Sequence, residues 1–359
     1  MIKKELRAER DVLPDLLKGF GIILMVLGHC IQESYNGADL GGNAFFEDRL
    51  YQFIYSFHMP LFMIISGYYA WNSIHRAVTP QDRKKMILKK CVYLITPNVV
   101  WKLFDFVCWY ITGEYIYRGI GILTRDIVIS ILTNFWFLWA VLYSFILVCF
   151  MHYKCKDAVW LYVLVFIAMF FTPDGMGLMA YKYVLPYYLM GFYANKNKDL
   201  LVKIAFVPGD TRRRVYFAFL ASGLIFFGLF SFYNVESFVY LTGYKLIGKD
   251  YRTQLQIDLY RFLVGFCGIV FWSLFWRILL NLRRQWKYGI KLLAYIGSKG
   301  RGIYIVSGYP MQFLFFHLAE NGKPNYIVNL AQTMFILFWA VIIVEVLGRI
   351  KGARMLVGQ

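Results

Sequence analysis

Asp15, Lys18 and His29 stand in the first long apolar segment of the sequence, and their spacing aligns them. If the segment is helical, the 11 residues from Lys18 to His29 return to within about 20° of the same face, about 16 Å along the axis. Asp15, three residues before Lys18, joins the stripe. One face thus carries an acid, a cation and an imidazole, which reads as the wall of a polar channel rather than a lipid-facing surface. An imidazole, with its unperturbed pKa of about 6.5, can take and return a proton. The same groups also serve as ordinary contacts between helices, and the segment alone leaves both readings open.

Other chemistry-bearing residues carry paired readings. His58, just before Pro60, either lines an acceptor site or holds a kinked helix by a hydrogen bond. Lys102 and Asp105 read as a mutual ion pair. Arg261 reads as an oxyanion or substrate contact, or as a side chain reaching out to a membrane interface. Trp136 and Trp139 can stack on a ligand, or belong to an interfacial aromatic belt. Lys299 and Arg301, in Gly297-Ser298-Lys299-Gly300-Arg301-Gly302, can bind phosphates with the loop amides, or form a plain basic loop. Glu345 has no assigned role. Gly243-Tyr244-Lys245-Leu246-Ile247-Gly248-Lys249 has P-loop spacing, but Asp250 replaces the magnesium-binding Ser or Thr. The histidines show no H-x-x-H or H-x-x-x-H spacing, so no metal is expected. No G-x-S-x-G elbow is present, so a serine nucleophile of that kind has no motif.

Composition says what must position these groups. Of 359 residues, 59% are hydrophobic, 20% aromatic and only 17% charged, and mean hydropathy is +0.51. A soluble domain carries roughly 25% charged residues. The composition therefore excludes a soluble enzyme, a disordered tail and a secreted disulfide scaffold. The six scattered cysteines read as buried hydrophobes. An all-α polytopic membrane bundle is expected, since lipid leaves no open backbone unpaired. Ten apolar stretches qualify as spans, near residues 13–33, 50–72, 91–112, 127–150, 158–172, 183–195, 215–232, 259–281, 302–319 and 326–348. No small-residue cleavage site follows the first, so it reads as an uncleaved span. No linker divides the chain, and residues 1–359 read as one domain.

With the N-terminus inside, 27 of the 39 Lys and Arg fall in inside segments and 8 in outside ones. This asymmetry places both termini in the cytoplasm. It also explains the net charge of +18 by anionic lipid or an anionic cytoplasmic ligand, without nucleic acid. The outside loop over residues 233–258 shows no fold of its own. An internal echo, Ile65-Ser66-Gly67-Tyr68 and Val306-Ser307-Gly308-Tyr309, is explained equally by small residues at helix contacts.

The stretch Asp15-Leu16-Leu17-Lys18-Gly19-Phe20 with Leu27-Gly28-His29 resembles the start of the membrane acyltransferase 3 family. That family places a basic residue, then ten others, then His. Phe57-His58-Met59-Pro60-Leu61-Phe62 with Ser66-Gly67-Tyr68 is similar to the second-helix motif of its sugar O-acetyltransferase branch. Asn134-Phe135-Trp136-Phe137-Leu138, Tyr188-Leu189-Met190-Gly191-Phe192-Tyr193, and Tyr295-Ile296-Gly297-Ser298 with Ile303-Tyr304 resemble later signatures in order. Ser307 stands where many members have His. A basic pair before the third-helix proline maps to Lys89 and Lys90.

The resemblance implies transfer of an acyl group from acyl-CoA, usually acetyl-CoA, to sugars of surface glycans, in a bacterial plasma (inner) membrane. On this expectation Lys18 steers the donor, Asp15 holds Lys18, and His29 is the general base. Lys89, Lys90, Lys299 and Arg301 bind the donor or substrate, with His58, Trp136 and Arg261. Two other classes share the fold: an exporter of glycan or lipid-linked intermediates, and a membrane sensor.

Overall fold

The computed structural model describes residues 12–37, 43–113, 115–199, 211–246, 248, 250–281, 287–311, 314 and 325–358. The charged first eleven residues, Lys203, Arg283, Arg284 and Lys323 therefore lie outside the described residues. So do Ile247 and Lys249 of the P-loop-like stretch, and most of residues 312–324.

Among the described residues the fold is helical, with no strand. Helices run α1 Leu13–Gly37, α2 Arg49–Arg76, α3 Pro80–Thr112, α4 Ile120–Thr133, α5 Trp136–Tyr153, α6 Val159–Phe171, α7 Leu178–Lys196 and α8 Thr211–Phe230. After one turn at Val239–Thr242 come α9 Tyr251–Asn281, α10 Lys287–Ser298, α11 Gly300–Val306 and α12 Tyr326–Arg349. Local sequence explains the starts. Asp48 caps α2 by accepting from Tyr51 N at 2.8 Å. Thr79 and Asp82 form a reciprocal capping box with Pro80 at the first position of α3. Asn325 accepts from the amides of Ile327 and Val328 at α12.

Six described helices are long and apolar enough to cross a membrane: α1, α3, α5, α8, α9 and α12. The outer ones turn large apolar side chains outward, among them Leu220, Leu224, Ile327 and Phe338, as a lipid-facing surface requires. The interior pair, α2 and α7, falls below that apolarity for a physical reason. Tyr187, Tyr188 and Phe192 of α7 are buried in protein, and a helix shielded from lipid can be Tyr-rich.

Close backbone contacts set the interior. A Cβ at Gly67 would lie 2.0 Å from the Tyr188 carbonyl oxygen, and one at Gly191 would lie 1.9 Å from that of Ile64. Only glycine lets α2 and α7 meet there. Likewise a Cβ at Gly297 would lie 1.8 Å from the Asp15 carbonyl oxygen, which seats α10 against α1. Gly308 has nothing within 4 Å, so the echo with Gly67 is not a structural repeat.

Two expectations are corrected. The stretch 127–150 is not one span. It breaks at Asn134–Phe135, where Phe135 takes φ 47° and Asn134 ends α4 with its backbone N–H on Ser130 O at 2.9 Å. The loop 233–258 is not featureless either. Val235–Ser237 and Val239–Thr242 are helical turns, and Tyr233 and Phe238 are buried, because these side chains pack down against α2, α8 and α9.

Candidate active site

One stripe of α1 lines two adjoining cavities. Lys18, Ile22 and Met25 face the first, of about 260 Å³. Met25, His29 and Gln32 face the second, of about 530 Å³. These residues step by four, three, four and three, the spacing that keeps one helical face. Met25, Met59 and Tyr304 belong to both walls, so α1, α2 and α11 each give one side chain to the partition.

The first cavity is cationic. Lys18 Nζ lies 2.6 Å from Asp15 Oδ1 and 5.3 Å from the centre of the Tyr69 ring. The acid therefore fixes the ammonium at the wall. Lys90 joins from α3, its Nζ 5.3 Å over the Phe145 ring. Residues 297–302 all line the cavity, brought there by the Gly297 contact with α1. Lys299 Nζ is 2.8 Å from Glu345 Oε1, which also accepts from Tyr295 OH at 2.7 Å. Arg301 Nη1 donates to Gly358 O at 2.9 Å. No Asp or Glu lines this cavity among the described residues. Lys89, one residue from Lys90, points away and is exposed.

The second cavity is aromatic and amide-lined. His58 is buried, with Nδ1 2.8 Å from Ile54 O and its ring edge-on to Tyr55 at 4.6 Å. A carbonyl only accepts, so Nδ1 carries the proton and the neutral ring keeps its lone pair on Nε2. His58 thus braces α2 by this bond, and its ring faces the cavity. Thr133, Asn134, Phe135 and Trp136, the broken junction of α4 and α5, also line it. Interrupted backbone within a membrane bundle is tolerated where it borders a cavity. Tyr240 and Leu241 of the re-entering loop close another side.

Other predicted residues fall elsewhere. Trp139 donates Nε1–H to Ile131 O at 2.8 Å and lines neither cavity. Lys102 and Asp105 do pair, at 2.5 Å, with Tyr309 OH on the same carboxylate at 2.8 Å. Arg261 is corrected on its interface reading. It is 1% exposed, so it does not reach an interface, and it lines neither cavity. Its ion pair with Asp258 and its hydrogen bond to Gly243 O at 3.0 Å hold it inside. Sequence reasoning missed Tyr304 as a lining residue and Glu345 as the partner of Lys299. The Ile303-Tyr304 pair was the signal for the first. For the second, an acid close to the basic residues of the chain end was the signal.

A family model described as an acyltransferase domain matches residues 12–349. The chain belongs to the acyltransferase 3 family. It is similar to the nodulation protein NolL of Mesorhizobium japonicum, 30% identical over 187 residues that cover 51% of this chain and 47% of that protein. It is also 30% identical over 185 residues to the nodulation protein NolL of Sinorhizobium fredii, covering 51% and 48%. The chain spans about half the length of the curated relatives it matches. No solved structure matches it. This acyltransferase 3 chain is thus a helical membrane protein, and apart from Gly358 the residues lining the two cavities lie within the matched region.

Proposed function

We propose that the chain is an integral membrane O-acyltransferase that moves an acetyl group from acetyl-CoA to a sugar hydroxyl of a surface or exported polysaccharide, in a bacterial inner membrane. The observation that carries this reading is the meeting of two chemically opposite cavities at Met25, Met59 and Tyr304. The excess of basic residues in the inside segments supports a cationic cavity that opens toward the cytoplasm, where acyl-CoA is made. Lys18, Lys90, Lys299 and Arg301 suit its phosphates. Trp136 and the amides of the other cavity suit a sugar.

At the junction, His29 takes the proton of the sugar hydroxyl as that oxygen bonds to the thioester carbonyl carbon. The carbon–sulfur bond breaks as the tetrahedral intermediate collapses, and the proton passes from His29 to the departing thiolate. Products are the sugar ester and free CoA. His58, with its Nε2 lone pair, accepts a hydrogen bond from the acceptor and orients it.

The test uses the purified chain in detergent. Acetyl-CoA is expected to raise its melting temperature by linkage, and surface glycans of a deletion strain to lose an acetyl ester by mass spectrometry. No protection together with unchanged glycans would refute the reading. An exporter instead moves labelled glycan into vesicles, and that uptake survives His29→Ala.

A further inference from the structure

We infer that the acceptor of this chain is an uncharged sugar residue, gripped by ring stacking and amide hydrogen bonds, and that hexuronates and sugar phosphates are excluded. The inference rests on the sugar-acceptor reading above and narrows it.

The wall of the aromatic cavity contains no Asp, Glu, Lys or Arg among the described residues. Its hydrogen-bonding side chains are the amides of Gln32, Asn43 and Asn134, the Thr133 hydroxyl, the imidazoles and four tyrosines. All are neutral partners for hydroxyl groups. The Gln32 side chain hydrogen-bonds the His29 imidazole, so an amide and an imidazole are joined on this wall. Trp136 offers an indole on the same wall.

Nearby charges are already engaged. Asp48 accepts from Tyr35 OH, Tyr326 OH and Tyr51 N at 3.1, 2.7 and 2.8 Å. Arg49 donates to Gln52 Oε1 and Tyr233 O, each at 2.7 Å. Lys182, 2% exposed, pairs with Asp174 at 2.9 Å. Arg261 has Nε and Nη1 without partners, but it is not part of this wall. A carboxylate entering the cavity would lose its water and meet no counter-charge. The cationic cavity has the opposite lining, which separates an anionic donor from a neutral acceptor inside one bundle.

The experiment follows thiol release from acetyl-CoA by the purified chain. Methyl glycosides of a neutral hexose and a 6-deoxyhexose are compared with the methyl glycoside of the matching hexuronic acid. The neutral probes are expected to raise thiol release at least tenfold more than the hexuronate. A hexuronate that works equally well overturns the neutral-acceptor inference and leaves acyl transfer to sugars standing. Stimulation by none of the glycosides, with acetyl-CoA still protecting the fold, overturns it along with the sugar-acceptor reading.

Discussion

The cavity around Lys18 and the cavity around His29 are built on the same face of α1, yet one collects cations and the other rings and amides. The reason lies in the partners of α1 at each end. Near Lys18, the glycine contact at Gly297 brings in a basic loop. Near His29, the broken helix at Phe135 and the re-entering turn with Tyr240 bring in aromatic side chains. One helix face thus serves two chemistries because different neighbours complete it. The division implies that binding an anion and moving a proton are separable by mutation.

The largest separation is expected at His29. His29→Ala lowers kcat by about 10²- to 10⁴-fold, the usual worth of a general base, while acetyl-CoA still raises the melting temperature as in wild type. A wild-type turnover rate in this variant moves the proton acceptor elsewhere. On the cationic side, Lys18→Ala is expected to raise the KM for acetyl-CoA about tenfold, the scale of one hydrogen bond to a charged group. Lys18→Arg keeps that KM close to wild type, and steady-state kinetics giving identical values for both variants would remove Lys18 from donor steering. Trp136→Ala is the smallest effect. Losing a stacking partner worth about 0.5–1.5 kcal/mol raises the KM for the sugar about three- to tenfold. A matching rise for acetyl-CoA would show that the two cavities do not divide the substrates.

Parts of this arrangement were legible before any coordinates. The arithmetic that aligned Lys18 with His29 needs only 3.6 residues per turn, so the stripe on α1 was readable directly. Short-range pairs were readable too: Asp15–Lys18 and Lys102–Asp105 are one turn apart and do meet. What was not readable depends on tertiary context. Phe135 in a left-handed conformation has no composition cue, and Asn134 alone does not announce a break inside an apolar run. Arg261 sits near the end of the expected span 259–281, which reads as a route to the interface, whereas α9 begins ten residues earlier at Tyr251. Asp258 and the Gly243 carbonyl, the latter distant in sequence, draw it inward instead. Lys89 and Lys90 are equivalent as letters, and only the rotation of α3 decides which one faces the cavity. The glycines of the sequence motifs turned out to carry packing: Gly67, Gly191 and Gly297 let backbones touch.

Filling the partition tests the central claim most directly. Met59 borders both cavities, and Met59→Trp places a larger ring where thioester and hydroxyl must meet. The account predicts that this variant keeps its stabilisation by acetyl-CoA but loses transfer of labelled acetyl to sugar by about a hundredfold, the cost of misplacing reacting groups by about 1 Å. Transfer at the wild-type rate through the filled junction would contradict it.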